Sequence, residues 1–175
     1  MASLASLFQM DKAEGLSELF VAQLKDIYWA ENKLTTALTE METAATTDEL
    51  KGGLRTHLAE TEGQIQRLNQ VFSSLGLEAE GVKCQAMAGL VDEGEDIVAE
   101  TQSGTLTRDA GIIAACQKVE HYEIASYGTL VAWAKILGYE EAARLLHANL
   151  QEEEATDHKL TMLAESFVNA TATAE

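Results

Sequence analysis

Glu120 and Glu123 lie three residues apart in the stretch Lys118-Val119-Glu120-His121-Tyr122-Glu123-Ile124-Ala125-Ser126-Tyr127. Ile113, Cys116, Glu120, Glu123, Tyr127 and Leu130 recur at steps of three and four, the spacing of one helix face. Two carboxylates therefore sit in the middle of a stripe that should be dry. A buried carboxylate without a partner takes up a proton or finds a cation. Matching residues occur elsewhere: Glu31 interrupts an apolar stripe, His57 and Glu60 are three apart, and Glu153 and Asp157 are four apart. Carboxylates with an imidazole are hard oxygen and borderline nitrogen donors, which suit iron or manganese, and also zinc.

Taken singly, each residue has a plainer reading. A lone Glu on a stripe is usually an edge residue, and a lone His is usually a satisfied core residue. The run Glu152-Glu153-Glu154 reads as solvated face, except that Glu153 falls on the stripe. Cys116 reads as a small core residue. Tyr28, Tyr122 and Tyr127 read as packing residues, with electron donation beside a metal as the second role. The argument for a metal is joint and rests on position along the helices.

Those helices follow from periodicity and breakers. The first is expected over Leu16–Ala44, capped by Ser17 or a neighbour, with the stripe Leu16, Leu19/Phe20, Leu24, Ile27, Glu31, Leu34, Leu38, Met41. After a turn and cap at Thr46-Thr47-Asp48-Glu49, the second runs from Glu49 to Leu75 and stops at Gly76. Its stripe is Leu50, Leu54, His57/Leu58, Thr61, Ile65, Leu68, Phe72. A shorter helix from Cys84 to Glu100 reads as a crossover. The fourth runs from Leu106 to Leu137 and ends at Gly138, and the fifth runs from Glu140 to Val168. The fifth has the stripe Ala142, Leu146, Leu150, Glu153, Asp157, Leu160, Ala164. Residues 1–13 are expected to be a flexible leader, 14–168 one bundle domain, and 169–175 a frayed tail.

Short turns near 46 and 138 make two antiparallel hairpins, and the long segment between them lets the hairpins pack together. The expected fold is all-α: a four-helix bundle with one long crossover, the ferritin-like connectivity. Glu31 precedes its turn by about fifteen residues, and His57 and Glu60 follow it by about eleven to fourteen. Glu120 and Glu123 precede the second turn by about fifteen to eighteen, and Glu153 and Asp157 follow it by about fifteen to nineteen. At ~1.5 Å per residue, four helices deliver ligand-type side chains to one middle layer.

Composition narrows the function classes. The chain has 175 residues, no proline and a formal charge of −17. That charge argues against nucleic acid and anionic membranes as partners, and favours cations. Two cysteines, Cys84 and Cys116, do not make a disulfide scaffold, though one bridge stays open. The start of the chain lacks a basic segment followed by a long apolar core, so the expected compartment is the cytoplasm.

Several blocks carry a resemblance. Leu24-Lys25-Asp26-Ile27-Tyr28-Trp29-Ala30-Glu31, His57-Leu58-Ala59-Glu60-Thr61-Glu62 and Lys83-Cys84-Gln85-Ala86-Met87-Ala88-Gly89-Leu90 resemble the YciE/YciF family of ferritin-like bacterial stress proteins. So do Glu120-His121-Tyr122-Glu123-Ile124-Ala125 and Glu152-Glu153-Glu154-Ala155-Thr156-Asp157. The resemblance covers nearly the whole chain from Gly15 to Ala164. It implies a ferritin-like bundle, dimerisation and a rubrerythrin-like metal site. Ferritin-like di-iron proteins carry Glu-x-x-His on two helices. Here the second helix has the reversed order His57-x-x-Glu60, and His158 lies one step off the fifth stripe.

The expected metal ligands are Glu31, His57, Glu60, Glu120, Glu123, Glu153 and Asp157, holding two iron ions per chain, with manganese or zinc as other occupants. The expected activity is oxidation of Fe(II) by oxygen or peroxide in a stress response. A non-enzymatic metal-binding or dimeric interaction protein is the alternative, and manganese-dependent peroxide disproportionation is a third reading. Nothing in the sequence points to the contacts of an iron-storage cage.

Overall fold

The structure is a computed structural model that describes residues 13–175. The leader expected over 1–13 therefore lies, but for Ala13, outside the described residues. The described chain is helical: α1 Leu16–Ala44, α2 Asp48–Ser74, α3 Gln85–Glu100, α4 Leu106–Leu137 and α5 Glu140–Leu163. A π-helical turn, Ala164–Val168, leads into a last short helix, α6 Asn169–Ala172. No described helix is long and apolar enough to cross a membrane.

Local chemistry sets most of the boundaries. Thr47 Oγ1 accepts from the Leu50 amide at 3.3 Å, and Thr105 Oγ1 accepts from the Arg108 amide at 3.2 Å. Each satisfies one of the free amides of a helix start. Gly138 ends α4 at φ 76°, a backbone shape that favours glycine, and the Tyr139 amide reaches back to the Ala134 carbonyl at 2.8 Å. The residue before α1 is Gly15, which supplies no side-chain cap. Ser17, the cap expected from sequence, instead shares a 3.0 Å hydrogen bond with the Tyr139 hydroxyl.

α1 and α2 form one antiparallel hairpin, and α4 and α5 form the other. α2 packs on α5 and α1 on α4, while α3 lies across α1 and α4. Segment 75–84 straps back along α1. The Val82 amide donates to the Lys25 carbonyl at 3.1 Å, and Gly81 sits against the Trp29 backbone, where a Cβ would come within 3.2 Å of Cα. This strap and α3 together return the chain to the end of the bundle at which α1 finished.

Asp109, in the first turn of α4, locks that end. Fully buried, it accepts from the amides of Thr46 and Thr47 at 2.6 and 2.9 Å, and from the Thr47 hydroxyl at 2.7 Å. The turn between α1 and α2 is thus tied to the start of the second hairpin. At the same end of the bundle the last helix runs on past Val168 to Ala172, beyond the expected start of the tail at residue 169. Val168 is fully buried, and the Glu175 carboxylate accepts from the amides of Leu106 and Thr107 at 2.8 Å each.

The core follows the predicted stripes with two shifts. On α2, Gln64 takes the inward position and Ile65 is half-buried. On α5, Asn149 and Thr156 turn inward where Leu150 and Asp157 were expected. Both cysteines are free and buried, so the disulfide left open by the sequence does not form.

Candidate metal centre

Five ionisable side chains from four helices are buried in the middle of the bundle: Glu31 of α1, His57 of α2, Glu120 and Glu123 of α4, and Glu153 of α5. Ligand-type atoms of His57, Glu120, Glu123 and Glu153 all lie within 4.8 Å of one another. His57 Nε2 stands 3.0 Å from Glu120 Oε1, but the approach lacks hydrogen-bond alignment, and neither atom has a hydrogen-bond partner. Glu31 borders the group. One of its oxygens accepts from the Tyr127 hydroxyl and the other has no partner.

In all, seven buried carboxylate oxygens, one on Glu31 and two each on Glu120, Glu123 and Glu153, have no hydrogen-bond partner. Both nitrogens of His57 are in the same condition. Interiors rarely leave such groups orphaned, because each costs about 1–3 kcal/mol, and more when charged. The donor set of one imidazole and several carboxylates fits a transition metal of borderline or hard character.

Protonation shows the same tension. Burial pushes the Glu31 carboxyl up to about 7, against the stabilising hydrogen bond from Tyr127. Burial raises Glu123 and Glu153 well above the usual carboxylate range, and the neighbouring carboxylates add to it. For His57, burial pulls downward, but the Glu120 contact and the charges of Glu31 and Glu60 outweigh it and raise its proton affinity.

A polar chain supports Glu31 from outside. Arg67 donates to the Asn149 side-chain oxygen, the Asn149 amide donates to the Tyr127 hydroxyl at 2.9 Å, and Tyr127 donates to Glu31. Glu152 accepts from Arg67 and, at 3.2 Å, from Gln64. Sequence reasoning missed Asn149 and Gln64. The signal was available, because each is a polar residue on the buried side of its helix, next to the stripe position that was named.

Two of the seven expected ligands stand apart from the cluster. Glu60 faces the α2–α5 seam, where it accepts from Thr156 Oγ1 at 3.1 Å and Lys159 Nζ at 3.3 Å. Its Oε2 is 4.0 Å from His57 Nδ1. Asp157 is partly exposed, 3.3 Å from His121 Nε2 and accepting from Gln117 at 3.3 Å. Their distance from the centre follows from helical phase: Thr61 and Thr156 occupy the inward positions beside them.

Residues 15–173 match the family model described as Domain of unknown function (DUF892). The chain is 47% identical over 155 residues to the protein YciF of Escherichia coli strain K12, covering 88% of this chain and 93% of that protein. The solved structure of the E. coli stress protein YciF is similar with a TM-score of 0.84 at 46% identity, covering 89% of this chain and 98% of that one. YcfI of Rhodopseudomonas palustris gives a TM-score of 0.84 at 44% identity over 88% and 98% of the two chains. A protein of Xanthomonas campestris gives 0.69 at 25% identity over 91% and 98%.

Proposed function

The chain belongs to the DUF892 family, and from that premise we propose that it is a ferritin-like carboxylate protein whose buried cluster binds two iron ions. Glu31, His57, Glu120, Glu123 and Glu153 would hold them, with manganese or zinc as competing occupants. The observation that carries this reading is the set of seven partnerless carboxylate oxygens around a partnerless imidazole. A cluster kept only for packing would be more stable with apolar side chains.

Bound iron would supply a one-electron Fe(II)/Fe(III) step, and two ions would provide the two electrons that, with two protons, convert one peroxide into two waters. The chain's own residues do the rest. The four carboxylates favour the higher charge of Fe(III). Tyr127 fixes one oxygen of Glu31 and leaves the other free to bind. The apolar walls of the bundle exclude bulk water. Protons held by Glu31, Glu123 and Glu153 in the metal-free protein must leave as metal enters. The stress-response setting is carried over from the E. coli relative, which is described as a stress protein. A homodimer completes the proposal, and sedimentation reads it directly.

Anaerobic titration of the metal-free chain with Fe(II), followed by peroxide or oxygen and near-ultraviolet absorbance, tests the reading. Two equivalents bound per chain, followed by a ferric charge-transfer band, support it. Binding without oxidation leaves a structural or buffering metal. No uptake of iron, manganese or zinc removes the metal reading altogether.

A further inference from the structure

A cavity of about 370 Å³ opens along the seam between α2 and α5, and its lining reaches the His57 ring. Glu49, Gly53, Glu60 and Lys159 line it together with Leu50 and Leu160. Gly52 and Gly53 leave its α2 side bare, and a Cβ at either would meet nothing within 4 Å. Two glycines inside a helix are unfavourable by roughly 1 kcal/mol each against alanine, with no packing here to explain them. His57 is 97% buried, and its Nδ1, 4.0 Å from Glu60, has no hydrogen-bond partner. Its other nitrogen touches Glu120. The imidazole thus stands between the seam and the carboxylates.

We propose that this seam is the route by which a divalent cation reaches the buried cluster, with Glu60 as the capture carboxylate and the His57 ring as the door. The inference rests on the metal reading above and gives a role to Glu60, the expected ligand that stands outside the cluster. Lys159 donates to Glu60 at the seam and opposes an arriving cation. Displacement of its ammonium by the cation frees the carboxylate. The overall negative charge of the chain adds to the attraction.

Stopped-flow loading of the metal-free, full-length chain with Co(II), read by its visible absorbance, tests this. Gly53→Leu fills the bare side of the seam, and leucine is the better helix former. It should slow both arrival and release about tenfold and leave Kd within about twofold. Gly89→Leu is the control, an equally open helical glycine on α3, away from the seam. Glu60→Gln should slow loading about threefold, and Lys159→Gln should speed it about threefold, both effects shrinking in salt. Loading of Gly53→Leu at the wild-type rate overturns the route. So does a loss of affinity with unchanged arrival, since that marks a damaged centre. Failure of the wild type to take up Co(II) overturns the metal reading and this inference with it, an outcome distinct from an open seam in a chain that binds.

Discussion

His57 Nε2 and Glu120 Oε1 meet at 3.0 Å, across the diagonal of the bundle from α2 to α4, without forming a hydrogen bond. One residue comes from each hairpin. Their contact brings an imidazole nitrogen and a carboxylate oxygen to a common point from opposite sides.

Removal of one carboxylate should separate the metal role from the stability role. Glu123 is fully buried with both oxygens partnerless. Glu123→Gln should raise the stability of the metal-free chain at neutral pH by about 1–3 kcal/mol. The same variant should lose most of the thermal shift that added metal gives the wild type. Calorimetry with and without Fe(II) reads both effects, and a variant that is less stable without metal and keeps its shift would sink the assignment.

The pH dependence of the metal-free protein has a definite sign. Glu31 is held near 7 when folded and has the ordinary carboxylate value when unfolded. Folding therefore favours its protonated form, and stability falls as pH rises from about 4.5 to about 7, by a few kcal/mol for this group alone. Glu123 and Glu153 are shifted the same way and extend the fall upward. His57 acts in the same direction, because a raised histidine contributes stability that is lost as pH passes its folded value. Thermal melts across this range should show a declining Tm without metal and a metal-induced rise that grows with pH. A flat profile without metal would contradict the buried cluster.

Tyr127→Phe deletes the hydroxyl that restrains Glu31 and receives Asn149. Without that hydrogen bond the carboxyl holds its proton more tightly. Metal affinity should drop about tenfold near pH 6 and return toward wild type as pH rises. An equal loss at every pH would point to misplaced geometry instead.

Much of this arrangement was legible in the sequence. The glycine at 138 and the turn and cap at Thr46-Thr47-Asp48-Glu49 bounded the helices, and counting from each turn put Glu31, His57, Glu120, Glu123 and Glu153 at one height. Height does not fix phase. A helix turns by about 100° per residue, so Glu60 and Asp157 at the right level still face the edge. Asn149 and Gln64 were passed over because each sits beside an apolar residue, Leu150 and Ile65, that seemed the natural core member. Asp109 was invisible for another reason. Its partners are backbone amides 62 and 63 residues away, and no sequence pattern marks such a contact.

Asp109→Ala therefore makes a purely structural prediction. Two amides and a hydroxyl would lose their acceptor in a partly buried setting. The loss should be about 2–4 kcal/mol, seen as a lower urea midpoint. Metal stoichiometry should be unchanged in the folded fraction. A neutral result would show that water replaces the carboxylate at this end.

The strap over α1 and the crossover helix have a consequence for the chain as it is made. The first hairpin carries Glu31 and His57, while the second carries Glu120, Glu123 and Glu153. A nascent chain that has exposed only α1 and α2 offers one carboxylate and one imidazole from the cluster, a weak and open pair. The full donor set exists only after α5 has been synthesised and the distant hairpins have docked, a step that joins residues far apart in the chain. Under the proposed metal reading, capture would follow the docking of the two hairpins, and a truncated product would leave the ribosome without a complete donor set.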